Sequence, residues 1–429
     1  METSFVKKPA ITIIVLLLVA GGIYYIESGK PDLSNIPTIV ESELANKNTN
    51  SPAQNIQKDT EVLSEKSLSN ISNSTKSSTS EVPKKEINEL TQESAWPEPE
   101  NKSEKDSKYK KAPDFAYIQN WINSKPLTIE QLKGKVVLID FWTYSCINCI
   151  RTLPYLKSWD EKYRDKGLVI VGVHSPEFEF EKDYDNVVSA AEKHGLKYPI
   201  AQDNDYATWK LYKNRYWPRE YLIDVDGYIV YDHIGEGNYE TTEAKIQELL
   251  KERMERLNQK TSIDQKISKP EEAVYFDSSK ISTPEIYLGY GTTRGHFGNT
   301  EGYSPDSKVD YKIPDKIEAN DVYLKGKWQN NRDNMELVSS DGEITLKYGA
   351  KALNIVASST GSIVEVYLNG NPVDETSKGS DVLITDGEPI SAVGEPKLYN
   401  LVFAKDYGTG TLNLKIKGEG FKIYTFTFG

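Results

Sequence analysis

Apolar positions follow two different periods along this chain, and the change of period divides it. Between residue 112 and about residue 259, unbroken apolar runs alternate with stretches of helical spacing. Val136–Trp142 (VVLIDFW) and Leu168–Val173 (LVIVGV) are continuous apolar runs, as parallel central strands covered on both faces require. The spacing predicts a helix from about Cys149 to Lys166 and another over Asn186–His194, with Gly195 as its C-cap. A third helix is predicted over Tyr206–Tyr216. Glu220–Val225 and Tyr228–His233 read as strands joined by the hairpin signal Asp226-Gly227. Glu243–Leu257 reads as an amphipathic helix with Ile246, Leu249, Leu250 and Leu257 on one face. The order β-α-β-α-α-β-β-α predicts an α/β domain over 112–260.

Beyond that point the period becomes two. Glu343–Tyr348, Ser362–Leu368, Lys397–Phe403, Thr411–Ile416 and Phe421–Phe428 read as short strands, separated by turn signals such as Asp341-Gly342 and Asn369-Gly370. Residues 261–429 are therefore expected to form an all-β sandwich, jelly-roll-like. Trp328, Tyr348, Tyr367, Tyr399 and Tyr424 could stack on sugar rings there, but core or half-buried strand positions are the stronger reading.

The N-terminal quarter has neither period. Lys7 and Lys8 precede an apolar run from Pro9 to Ile26, long enough for a spanning helix and flanked by Tyr24 and Tyr25 at belt positions. Residues 1–26 are expected to be a cytoplasmic stub and an uncleaved transmembrane anchor, with the rest of the chain outside the membrane. Residues 27–111 are Ser-, Asn-, Lys- and Glu-rich and read as a disordered polar linker. Asn70, Asn73 and Asn101 head glycosylation sequons, which a Ser/Asn-rich tract also generates by chance.

Of 429 residues only two are cysteine, and the net charge is −12 with no long basic stripe, so nucleic acid is not an expected partner. The cysteines stand two residues apart, Cys146 and Cys149, where the first apolar strand gives way to a helix. Backbone N–H groups at a helix start favour negative charge, and the thiolate is the species that attacks disulfides. Cys146 is the expected nucleophile and Cys149 the resolving thiol. A zinc half-site would need two more ligands, and the four histidines are scattered, so no metal is expected. A structural disulfide closing so short a loop would stabilise little. Asp140, a carboxylate on an apolar strand, is costly unless it is edge-exposed, hydrogen-bonded as a structural group or at work, and the work available is taking the proton from Cys149, the stronger reading. Trp217-Pro218, between a helix and a strand, can hold a cis bond and leave a backbone edge for an extended substrate. Pro154 should kink the helix that follows the pair.

These residues resemble a known family. FWTYSCINC, with Asp140 before it, Pro154 after it and Pro218 downstream, is similar to the thioredoxin superfamily. HSPEFEFEKDYDNV, YPIAQDNDYATWKLYKNRYWPREYLIDVDG and GEGNYETTEAKIQELL resemble the TlpA-like redoxin domain of DipZ-type proteins, and the segment from TPEIYLGY to YTFTFG resembles their C-terminal domain, which is similar to carbohydrate-binding modules. The resemblance implies an α/β thioredoxin-like domain followed by the β-sandwich. It assigns Asp140 to the buried acid and Pro218 to the cis-proline, and it implies substrate contacts at Trp142, Tyr144, Trp217 and Pro218. Ser145 and Ile147-Asn148 depart from the Trp and Gly-Pro of thioredoxins. DipZ proteins typically begin with a multi-span CcdA-like domain, so a reductase here implies a separate CcdA-like membrane electron donor.

The resulting expectation is a membrane-anchored, extracytoplasmic thiol–disulfide oxidoreductase. It acts on protein thiols and disulfides with no cofactor beyond the Cys146–Cys149 disulfide, and the C-terminal domain is a candidate for binding glycan. Three alternatives are weaker. A peroxiredoxin-type peroxidase needs an isolated peroxidatic cysteine. A glycan- or partner-binding protein on a redox-inactive scaffold leaves Asp140 and the intact pair unexplained. A copper chaperone wants wider cysteine spacing and a positioned histidine.

Overall fold

The computed structural model describes Trp96, Pro99 and residues 102–260 and 262–429. The expected anchor, most of the linker and the three sequons lie outside these residues. Among the described residues no helix is long and apolar enough to cross a membrane.

The first domain is one seven-stranded sheet. Its elements run α1 (Lys102–Lys108), β1 (Lys110–Lys111), β2 (Asn120–Ile122), β3 (Val136–Trp142), α2 (Ile147–Tyr163), β4 (Leu168–His174) and α3 (Tyr184–Lys193). They continue β5 (Ile200–Gln202), α4 (Ala207–Leu211), β6 (Arg219–Ile223), β7 (Tyr228–Ile234) and α5 (Tyr239–Arg256). The strand order is β1-β7-β6-β3-β4-β5-β2, with β3 parallel to β4 and antiparallel to β6. Every residue of β3 is buried because the sheet is covered on both faces. Val136, Leu138 and Trp142 pack with α2, α3 and α5, while Val137, Ile139 and Phe141 pack with Trp209 and Tyr212 on the other face. This alternation carries Asp140 to the α2 face.

The helix after the cysteines continues through Pro154 to Tyr163. Two expectations need revising. The helix over Tyr206–Tyr216 is only Ala207–Leu211, because the chain turns at Lys213, whose φ is positive. The polar tract assigned to the linker is ordered structure from α1 onward: β1 pairs with β7, and Trp96 Nε1 donates to Asp226. The anchor of this segment is Lys105. Its buried ammonium donates to Asp224 (2.8 Å), Asp226 (2.7 Å) and Glu252 (3.2 Å). A lysine among carboxylates carries no hydrophobic signal, so composition reads the segment as solvated. Lys105→Ala would leave buried Asp224 without its ammonium partner and Asp226 with Arg256 in place of two cations. It is expected to destabilise the domain by about 3 kcal/mol, seen as a lowered urea midpoint at unchanged slope.

Residues 262–283 strap the two domains together, with Asp277 N donating to the Tyr407 hydroxyl (2.6 Å) of the second. Ser268 N donates to Glu243 (2.6 Å), and Lys157 pairs with Glu272 (2.7 Å). The second domain is all β. Its strands are β8 (Ile286–Tyr287), β9 (His296–Phe297), β10 (Lys308–Tyr311), β11 (Asp321–Asn330), β12 (Met335–Leu337) and β13 (Asp341–Ser358). They continue β14 (Ser362–Leu368), β15 (Asn371–Pro372), β16 (Leu383–Thr385), β17 (Glu388–Val393), β18 (Lys397–Lys417) and β19 (Lys422–Phe428). Two separate sheets were expected, but the strands form one hydrogen-bonded network. Within it β11, β12, β19 and β13 close into a small ring. Two expected strands, Lys397–Phe403 and Thr411–Ile416, are one long strand, β18. It follows β13 along its length and bends with it at a bulge near Ala350. Trp328, Tyr348, Tyr399 and Tyr424 are buried here, which removes their faces from any sugar.

Candidate active site

Strand β3 ends at Trp142, and the loop Thr143–Ser145 delivers Cys146 to the N-cap of α2. The cap is made by sulfur: Cys146 Sγ accepts the N–H of Cys149 at 3.4 Å. A backbone donor and the positive end of the helix thus meet the one sulfur that reaches the surface. Cys146 is half-buried, Cys149 is fully buried, and both are free thiols. Burial, then the hydrogen bond its thiol makes to Cys146, pushes the Cys149 thiol well above its usual range.

Two carboxylates lie behind the pair. Asp140 is 1 % exposed, and its Oδ1 has no hydrogen-bond partner among the described residues. Burial, and then the charge of Glu220, holds its carboxyl well above the ordinary range. Glu220 is the residue opposite Asp140 across the β3–β6 ladder. It accepts from Thr242 Oγ1 at 3.2 Å, and burial pushes it up to about 7. Two like groups side by side in an apolar layer disfavour double ionisation.

A third acid, Glu181, is structural. It accepts from Ser145 Oγ (2.5 Å), Glu177 N (2.5 Å) and Phe178 N (3.0 Å), locking the loop before Cys146 to the loop after β4. Glu220 was legible as a charge inside the apolar run REYLID. Glu181 carried no such signal, because acids alternate throughout its segment.

The Trp217–Pro218 bond is cis. Trp217 is half-buried, donates Nε1 to Ser175 O (3.0 Å) and lines the cavity at Cys146. Pro218 is buried behind it. Tyr144 is buried too, stacked on His174, with its hydroxyl donating to Pro396 O (3.3 Å) of the second domain. Trp142 was expected to meet substrate, and here the structure corrects the sequence reading. It is fully buried in the core on the α2 face, where the alternation of a doubly covered strand puts it. Among the described residues, no three His, Cys, Asp or Glu side chains are grouped to hold a metal.

A solvent-reaching thiol at a helix start, a buried partner one turn on and a buried acid beneath them define a dithiol protein of the thioredoxin class. Comparison with known proteins gives the same class. Residues 108–250 match the family Redoxin, and residues 283–429 match the family described as thioredoxin-like C-terminal domain. Protein DipZ of Mycobacterium tuberculosis is 36% identical over 325 residues, 74% of this chain and 43% of that protein. Thiol-disulfide oxidoreductase YkuV of Bacillus subtilis is 31% identical over 33% of this chain and 94% of its own length. Thiol-disulfide oxidoreductase ResA of Bacillus cereus is 31% identical over 33% of this chain and 77% of its own. The chain belongs to the thioredoxin superfamily and is similar to DipZ- and TlpA-like proteins. It spans less than half the length of the DipZ relatives it matches.

Proposed function

We propose that the protein exchanges disulfides with protein substrates through Cys146 and Cys149, from an extracytoplasmic position held by the apolar run at residues 9–26. The observation that carries this reading is the asymmetry of the pair: one sulfur capped by a helix N-terminus and reachable, the other buried. In the reducing direction the Cys146 thiolate attacks a substrate disulfide. A Cys146–substrate bond forms, the substrate S–S bond breaks, and the departing thiolate takes a proton from solvent. Asp140, acting through water, takes the proton of Cys149. Cys149 then attacks Cys146 Sγ, the Cys146–Cys149 disulfide closes, and the second substrate thiol leaves; two electrons have passed to the substrate. A carboxyl whose proton affinity is raised by burial both accepts and returns a proton, which suits either direction. Trp217 and Pro218 border the docking edge. A CcdA-like membrane donor belongs to the reducing form of this proposal.

The test is a redox titration of the full chain in detergent, with the two thiols followed by alkylation. A couple near about −270 mV marks a reductase, and one near about −120 mV a disulfide donor. A pair that neither oxidises nor reduces would overturn the proposal.

A further inference from the structure

Cys146 does not look out from a bare thioredoxin-like domain. The cavity it lines, about 180 Å³, is closed on the far side by the second domain, through Glu285, Tyr287, Arg294, Thr425 and Thr427. A wider cavity of about 620 Å³ lies between α2 and α3 on one side and the second domain on the other. Ile147, the residue after Cys146, lines both. The two cavities adjoin at Ile147, and the reactive sulfur lines the narrower one.

The wall is held in position. Phe178 and Phe180 of the first domain pack on Tyr424 of the second, with ring centres 5.2 and 4.8 Å apart. Tyr287 of β8 donates to Glu177 at 2.7 Å. The strap adds Phe276, whose ring stacks under the Arg151 guanidinium at 4.7 Å.

The wide end has the features of a ligand site. Its volume falls in the range of about 300–1,000 Å³ that such sites occupy. Its lining mixes Phe276, Phe403 and Pro396 with Asn186, Ser189 and Ser380. Arg151 lines it as well and is 8 % exposed. Its Nε and Nη2 are taken by Glu236 and Asn148, but Nη1 is buried with no hydrogen-bond partner among the described residues.

We propose that the second domain is one half of the substrate-binding cleft, and that its occupant is an extended cysteine-bearing segment of a protein. A gap walled on both sides admits a single strand of chain and excludes the surface of a folded domain. This rests on Cys146 being the disulfide-exchanging nucleophile.

The test compares two substrates in single turnovers with the pre-reduced full chain. One is a linear peptide whose cysteine carries a mixed disulfide with 2-hydroxyethanethiol; the other is bis(2-hydroxyethyl) disulfide. Ser189→Trp and Ser380→Trp fill the wide end from opposite walls at exposed positions. Each is expected to slow the peptide about tenfold, about 1.4 kcal/mol of lost binding, and to leave the small disulfide unchanged. The unchanged small-disulfide rate also shows that the variant is folded. Peptide rates equal to wild type in both variants would overturn the cleft, as would equal losses on both substrates. If the unmodified protein reduces neither disulfide, the reading of Cys146 fails, and the cleft proposal falls with it.

Discussion

Cys146→Ser is expected to abolish disulfide exchange, and Cys149→Ser to turn the protein into a trap. The serine hydroxyl at 146 is not ionised by a helix N-terminus and does not attack sulfur, so turnover should fall by about 10⁴-fold or more. Cys149 cannot substitute, because it is buried and its thiol is held well above the usual range. In Cys149→Ser the first step survives: Cys146 still caps the helix and still attacks. The mixed disulfide then has no partner to resolve it and accumulates. Non-reducing electrophoresis and mass spectrometry of the full chain, exposed to a peptide disulfide, read this directly. Adducts should map to Cys146 in the Cys149→Ser protein and be absent from Cys146→Ser. Recovery of no adducts from Cys149→Ser would reverse the assigned roles or remove them.

The second large effect concerns stability and follows from the two carboxylates under the pair. Glu220 keeps its proton in the folded chain up to about pH 7, against 4.5 for an ordinary glutamate. Between those values the unfolded chain has released the proton and the folded chain has not, so stability falls as pH rises through this window. At pH 8 the full cost is present, about 3 kcal/mol at about 1.36 kcal/mol per pKa unit. Glu220→Gln removes the ionisation while its amide oxygen can still accept from Thr242. It is expected to be about 3 kcal/mol more stable than the parent at pH 8 and no more stable below pH 4.5. Urea unfolding at the two pH values measures both. Equal stability at both would show that Glu220 ionises freely in the fold. Asp140→Asn should shift stability in the same direction, because its carboxyl is also held up by burial. Unlike Glu220→Gln, it should slow the resolving step about 10²-fold, the usual scale for losing a positioned proton carrier. The fold thus bears a destabilising pair of acids beneath its thiols, as expected where a proton must be ready at neutral pH.

What the sequence by itself determined is what short-range pattern can carry. The run VVLIDFW is β3 to the residue, because a strand covered on both faces admits only apolar side chains, and the one exception, Asp140, marked itself. Cys146 at the helix start, Cys149 one turn on and the hairpin at Asp226-Gly227 follow from local geometry and are all legible in single segments. Tertiary structure decided the rest. Lys105 is structural only because Asp224, Asp226 and Glu252 converge on it from elsewhere in the chain. Trp142 looked like a docking residue beside the cysteines, but the parity of β3 sends it into the core. Lys397–Phe403 and Thr411–Ile416 became one strand because β13 offers partners to β18 on both sides of the bulge, Gly408 and Gly410 included. Glu220 became a partner of Asp140 through strand register, and Tyr287 and Arg294 became walls of the active-site cleft through domain packing. Each of these depends on contacts between distant positions, and hydrophobic period, which reports only a residue's near neighbours, cannot encode them.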